Sequence, residues 1–160
     1  MAVNFLAILV AAVSALVVGF IWYNPKVFGN DWTQAAGLTE DQLKGGNMAK
    51  IFGLAFFFVF LLAFAMQFLT IHQTGAMGMV GGDVENAHPS YAAFMADYGN
   101  AFRTFKHGAL HGTIAGIFIA LPIIGTNALV ERKSTKYIFI NAGYWVVTLA
   151  IMGAIVCGWQ

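Results

Sequence analysis

The chain has 160 residues, of which 59% are hydrophobic and only 9% charged. That is too little charge to coat a water-soluble globule, so a soluble division into core and surface is excluded. A formal net charge of +1 with no basic stripe argues against a nucleic-acid partner, and the single cysteine, Cys157, precludes an internal disulfide.

Four apolar segments reach the roughly 20 residues a helix needs to cross a hydrocarbon layer: residues 2–23, 51–71, 107–130 and 137–159. They are continuously apolar rather than alternating, which excludes a β-barrel. The expected fold is therefore an all-α membrane protein, a single domain over residues 1–160. It is a four-transmembrane-helix bundle with a short amphipathic interfacial helix in the second loop. Met1-Ala2-Val3-Asn4 carries no side-chain charge, so the first segment lacks the basic start of a cleavable secretory signal and is expected to remain a span. Lys26, Lys44 and Lys50 flank the first loop and Arg132, Lys133 and Lys136 fill the third, whereas the second has only Arg103 and Lys106. The positive-inside rule then predicts cytoplasmic first and third loops, with both termini and all four histidines outside.

In the first span Ala7, Ala11, Ala15 and Gly19 form a ridge of small residues that lets a neighbouring backbone approach closely. Trp22 and Tyr23 close the span where headgroups begin, and Pro25 blocks its continuation. They are candidate interface anchors, as are Tyr144 and Trp145 in the last span. In the first loop, Thr39 followed by Gln42 has capping-box spacing and predicts a short helix from Glu40 towards Lys44. The second span sets Phe52, Phe56, Phe60, Phe64 and Phe68 at four-residue intervals, a ridge for packing or lipid contact. At its outer end Gln67, Thr70, His72 and Gln73 need hydrogen-bond partners or water.

The second loop opens with the glycine-rich residues 75–82, where Met77 and Met79 are a weak copper signal and simple burial at the membrane surface is the plainer reading. Pro89 can begin a helix, and Tyr91, Phe94, Met95, Tyr98, Phe102 and Phe105 recur at three- and four-residue steps. They predict an amphipathic helix over residues 89–105, lying on the outer membrane face or packed as a lid over the bundle. The third span holds a second small ridge, Gly108, Gly112, Gly116 and Ala120, expected to pair with that of the first span, within the subunit or across an oligomer. Pro122 removes a backbone donor and leaves the Phe118 carbonyl unpartnered, which predicts a kink. The short third loop makes the last two spans antiparallel neighbours, with Asn127 and Asn141 placed to bond across it. Ala150, Ala154 and Gly158 form a further small ridge beside Cys157, read as an apolar filler.

Four histidines, His72, His88, His107 and His111, collect on the outer side as a candidate metal or proton site. His107 and His111 lie one helical turn apart, so two imidazoles can meet one divalent ion and His72 can supply a third. Titration near neutral pH gives the same residues a proton-responsive reading, and hydrogen bonding within the bundle is the bland one. Ala109 and Leu110 stand where a metalloprotease would need a glutamate, and no Ser, His, Asp set is spaced for nucleophilic catalysis. No catalytic residue is assigned and a non-enzymatic role is expected, with no cofactor beyond a divalent metal or copper.

Three blocks carry a family resemblance: Trp22-Tyr23-Asn24-Pro25-Lys26-Val27-Phe28-Gly29 with Trp32; Lys106-His107-Gly108-Ala109-Leu110-His111-Gly112; and Asn127-Ala128-Leu129-Val130-Glu131-Arg132 with Asn141-Ala142-Gly143-Tyr144-Trp145. Over nearly its whole length the chain resembles domain-of-unknown-function family 1761, small bacterial membrane proteins with no activity to carry over. The resemblance implies a bacterial inner (cytoplasmic) membrane and supports the four-helix reading. The leading functional expectation is a structural or accessory bundle in the lipid bilayer, assembling as a homo-oligomer or with other membrane subunits through its small ridges. The alternative is a small transporter, channel or metal-handling protein whose outer mouth is His72, His107 and His111.

Overall fold

The computed structural model describes residues 3–160, apart from the side chain of Glu40, and all regular structure among them is helical. In chain order the helices are α1 (Phe5–Trp22), α2 (Gly29–Ala36), α3 (Glu40–Lys44), α4 (Met48–Thr70), α5 (His72–Met79) and α6 (Pro89–Tyr98). Then come α7 (Phe105–Ala115), a π-turn (Gly116–Ala120), α8 (Leu121–Val130) and α9 (Thr135–Gly158). Four helices are long and apolar enough to span a membrane: α1, α4, the continuous run Phe105–Val130, and α9.

Each span begins at a polar cap rather than at its first apolar residue. The side chains of Asn4, Asn47, Thr104 and Ser134 accept from the backbone N–H groups of Ala7, Lys50, His107 and Tyr137. That is why the last three spans start two or three residues earlier than the apolar runs predict. The predicted capping box is present, with Thr39 and Gln42 bonding each other's backbone N–H groups at the start of α3. The first loop also holds α2, which begins without a side-chain cap and so carries no start signal in the sequence.

The bundle is built around α9, which packs against α1, α2, α4, α7, the π-turn and α8. Nine of its residues are buried, against five each in α1 and α4. Its tightest contact is with α7. A Cβ at Gly108 would fall on the Gly153 carbonyl, one at Gly112 on the Leu149 carbonyl, and one at Gly116 on the Val146 backbone. The small ridge of the third span is therefore consumed within the chain, by α9. This corrects the expected pairing with α1: the short loop between α8 and α9 makes those spans neighbours, and Gly153 supplies the facing gap. The ridge of α1 is also internal, since Ala7, Ala11 and Ala15 are buried against α4 and α9 and Gly19 faces the Tyr144 ring.

Tyr144 itself is buried and donates to the Ala15 carbonyl (3.1 Å), so it fastens α1 to α9 inside the bundle rather than at the headgroup zone. Beside it, Trp22 Nε1 donates to the Ile140 carbonyl (3.0 Å) and the Tyr23 hydroxyl to Asn141 Oδ1 (2.9 Å). Burial, with Tyr144 and Tyr137 nearby, pushes the Tyr23 phenol well above its ordinary pKa. Asn141 is thus engaged by Tyr23 and does not bridge the hairpin to Asn127, which is exposed. Trp145 is half-buried beside the Tyr144 ring. Cys157 is more than a filler, because its buried thiol donates to the Thr70 carbonyl (3.3 Å).

Before Pro122 the third span widens into a π-turn in which the Leu121 N–H reaches back to the Gly116 carbonyl. The extra residue in that turn accommodates the donor missing at Pro122, so the helix continues instead of ending. Outward-facing Phe58, Leu110 and Phe118 are more than half exposed, as a hydrocarbon surround permits.

The two ends of the bundle differ. At one, Lys136 pairs with Asp31 (2.6 Å) and Lys133 donates to the Ala36 carbonyl (2.7 Å), which ties the third loop to the first. At the other, Asn4 Nδ2 donates to the Trp159 carbonyl (3.3 Å) and Gln160 Nε2 to the Arg103 carbonyl (3.0 Å), which joins the first helix to the end of the last and the latter to the second loop.

Two glycine substitutions separate packing from propensity. Gly112→Leu is expected to cost about 1–3 kcal/mol or more through overpacking against α9. Gly53→Ala, which meets nothing within 4 Å, is expected to be neutral or to stabilise by up to about 1 kcal/mol. Denaturant unfolding in detergent micelles checks both; equal effects would refute the close α7–α9 contact.

Candidate metal centre

The C-terminal end of α4 decides where the site forms. Thr70 Oγ1 folds back onto the Met66 carbonyl (2.8 Å), Ile71 adopts an extended conformation, and the chain re-enters a helix at His72. The glycine-rich stretch expected as a loop is thus helix α5 up to Met79, because packing against α4 and α6 overrides the weak propensity of Gly75 and Gly78. His72 stands in its first turn. His107 stands in the first turn of α7, capped by Thr104, with His111 one turn further along.

Among the described residues, the ligating atoms of His72, His107 and His111 all lie within 4.8 Å of one another. The Nε2 atoms of His72 and His107 are 2.9 Å apart. Ring centroids are separated by 4.9 Å for His72 and His107, 5.0 Å for His72 and His111, and 4.4 Å for His107 and His111. A tetrahedral ion with nitrogen ligands at 2.0–2.1 Å holds them about 3.3–3.4 Å from each other, so small ring rotations suffice to seat one. The set is purely imidazole, which suits zinc, copper(II), nickel or iron, and it lacks the thiolate or thioether that selects copper(I).

His88 lies elsewhere. Its Nδ1 caps α6 by accepting from the Ser90 N–H (3.3 Å) and sits 3.0 Å from Ser90 Oγ. It shares with His72 only the rim of a surface cavity that Met79 also lines. Met79 is 88% exposed. Asp83 accepts from Asn86 within its own turn.

Two residues complete the surroundings in roles that the sequence does not signal. Phe102 has a positive φ of 61°, unusual for a bulky side chain, and its ring lies 6.0 Å from His72 and 5.1 Å from His107. It lays an apolar ring against one side of the histidines, while His72 stays exposed. The turn that carries it also ends the amphipathic helix at Tyr98 instead of at 105. That turn is held by buried Gln73, whose Nε2 donates to the carbonyls of Tyr98 (2.7 Å) and Ala101 (2.9 Å), and by Arg103 Nε on the Cys157 carbonyl (3.0 Å). Gln67, expected to need a partner at this end of α4, donates to the Phe64 carbonyl (3.2 Å).

Gln73→Leu removes the donor from two carbonyls and is expected to cost roughly 1–3 kcal/mol. Protease cleavage within residues 99–104 should quicken in this variant while the spans stay protected; unchanged cleavage would show that Gln73 does not hold the turn.

No curated protein and no solved structure matches the chain. One family model matches over residues 6–157, nearly the whole sequence, and is described as protein of unknown function. Together with the all-helical bundle and its four membrane-span helices, this match identifies the chain as a member of family DUF1761.

Proposed function

We propose that this chain is a non-enzymatic, metal-handling protein of the bacterial inner membrane that holds one divalent ion of the zinc type through His72, His107 and His111. The observation that carries this reading is the convergence of three imidazoles from two helices within 4.8 Å. The bland alternative, hydrogen bonding within the bundle, accounts for the His72–His107 contact but not for the third ring. Orientation follows the positive-inside rule, with the end bearing Lys133 and Lys136 cytoplasmic and the metal centre outside. Retention of an ion fits better than conduction, because the buried side chains are mostly apolar, Ile8, Ala11, Ala12, Ala63, Met66 and Met152 among them, and the buried polar ones among the described residues are Gln67, Thr70, Gln73 and Thr148.

Self-assembly as an accessory bundle has weaker support. The ridges expected to drive it, Ala7, Ala11 and Ala15 in α1 and Gly108, Gly112 and Gly116 in α7 and the π-turn, are used inside the chain. A contact between copies would have to use large lipid-facing side chains instead.

Protein purified in mild detergent without chelators is expected to carry about one zinc per chain by mass spectrometry of the metal, as one three-histidine site implies. His107→Ala and His111→Ala should each weaken retention by more than the roughly 10–100-fold typical of changes around the ligands, and His88→Ala should leave it unchanged. Acidification from about pH 7.5 to 5.5 should release the ion, because protons compete for the ligating nitrogens. Zinc that survives in the His107→Ala, His111→Ala double variant would refute the assignment.

A further inference from the structure

One helical turn below the histidines the bundle opens sideways into an apolar groove of about 240 Å³. Leu62, Met66 and Leu69 of α4 form one wall, Ala115, Ile119 and Ile123 of the third span the other, and Trp145 of α9 lies between them. The groove exists because the third span meets α4 through α7, whereas beyond the π-turn α8 packs on α9. Two of its lining residues lie close to the histidines in the chain: Ala115 follows His111 by one turn, and Leu69 precedes His72 by three residues. From Ala115 to Ile124 the groove runs roughly 13 Å along the helix axis, close to the roughly 15 Å of one hydrocarbon leaflet.

The head of the groove favours an anion. Three neutral imidazoles leave a zinc-type ion with an open fourth position and both of its charges uncompensated. The metal-ligating cluster contains no carboxylate among the described residues. The N-termini of α5 and α7 both end at the cluster, and their helix dipoles add positive potential there. Below that head, a groove lined by apolar side chains at membrane depth takes an alkyl chain in preference to water.

We infer that the metal centre and the groove together bind a long-chain fatty acid, its carboxylate oxygen on the metal and its alkyl chain along Leu69, Ala115 and Ile119. This rests on the metal reading proposed above. Binding exchanges a ligand at the fourth position and makes or breaks no covalent bond in the fatty acid.

The test uses the full chain in a neutral detergent, with its zinc content measured before any lipid is added. The probe is palmitic acid bearing a mid-chain diazirine, and its methyl ester serves as the control that keeps the chain and removes the charge. The acid is expected to cross-link to residues within 62–69 and 115–124. That labelling should fall several-fold after zinc removal, in His111→Ala, and with the ester. Ile119→Trp, at a half-exposed position that tolerates bulk, should keep its zinc and lose the labelling, with Leu62→Trp as the second groove-filling variant. Zinc uptake accompanied by equal labelling from acid and ester, or by labelling outside the groove, overturns the fatty-acid proposal alone. A chain that takes up no zinc overturns the metal reading and this proposal with it.

Discussion

The arrangement depends on one contact, the backbone-to-backbone approach of α7 and the π-turn to α9 at Gly108, Gly112 and Gly116. Dispersion is short-ranged, so helices that meet without intervening side chains gain most from it, and in lipid this substitutes for the missing hydrophobic drive between helices. The same contact sets rotation and depth. His107 and His111 each precede a contact glycine by one residue, so once the glycines are seated on Gly153 and Leu149 the imidazoles have one direction left to face, towards the end of α4. There the break at Ile71 turns the chain and delivers His72 to the same point.

The four spans and the start of the helix at Pro89 were legible because they rest on local signals: apolar run length, capping spacing and helical periodicity. The partner of the glycine ridge was not. Two small ridges look equally complementary on paper, and only the short connection between α8 and α9, with Gly153 towards the far end of α9, decides between them. Tyr144 and Tyr23 looked like headgroup anchors because aromatic residues near a span's end usually are, yet their hydroxyls find the Ala15 carbonyl and Asn141 inside the bundle. Helix α5 was hidden by its glycines, whose low propensity is outweighed by packing. Of the four histidines, sequence spacing joined His107 to His111 and offered His72 as the third ligand, without a physical reason for separating it from His88. That separation is made by the bend at Ile71 and by the capping role of His88.

An ion held by the three histidines would have the Phe102 ring on one side and the apolar groove beyond Ala115, and so would work in a lower dielectric than water. Such surroundings would strengthen its attraction for an anionic ligand. The turn that carries the positive φ at Phe102 is held by bonds from Gln73 to its carbonyls and from its own Arg103 to the Cys157 carbonyl, the expected pattern when local strain is retained to place a side chain over a site.

Whether His72, His107 and His111 form one metal centre is read most directly by X-ray absorption at the zinc edge of the loaded protein. Three imidazole nitrogens at about 2.0–2.1 Å and one further light ligand around a four-coordinate ion are expected. A shell of oxygens without imidazole scattering, or one with fewer than two imidazoles, would contradict the three-histidine centre.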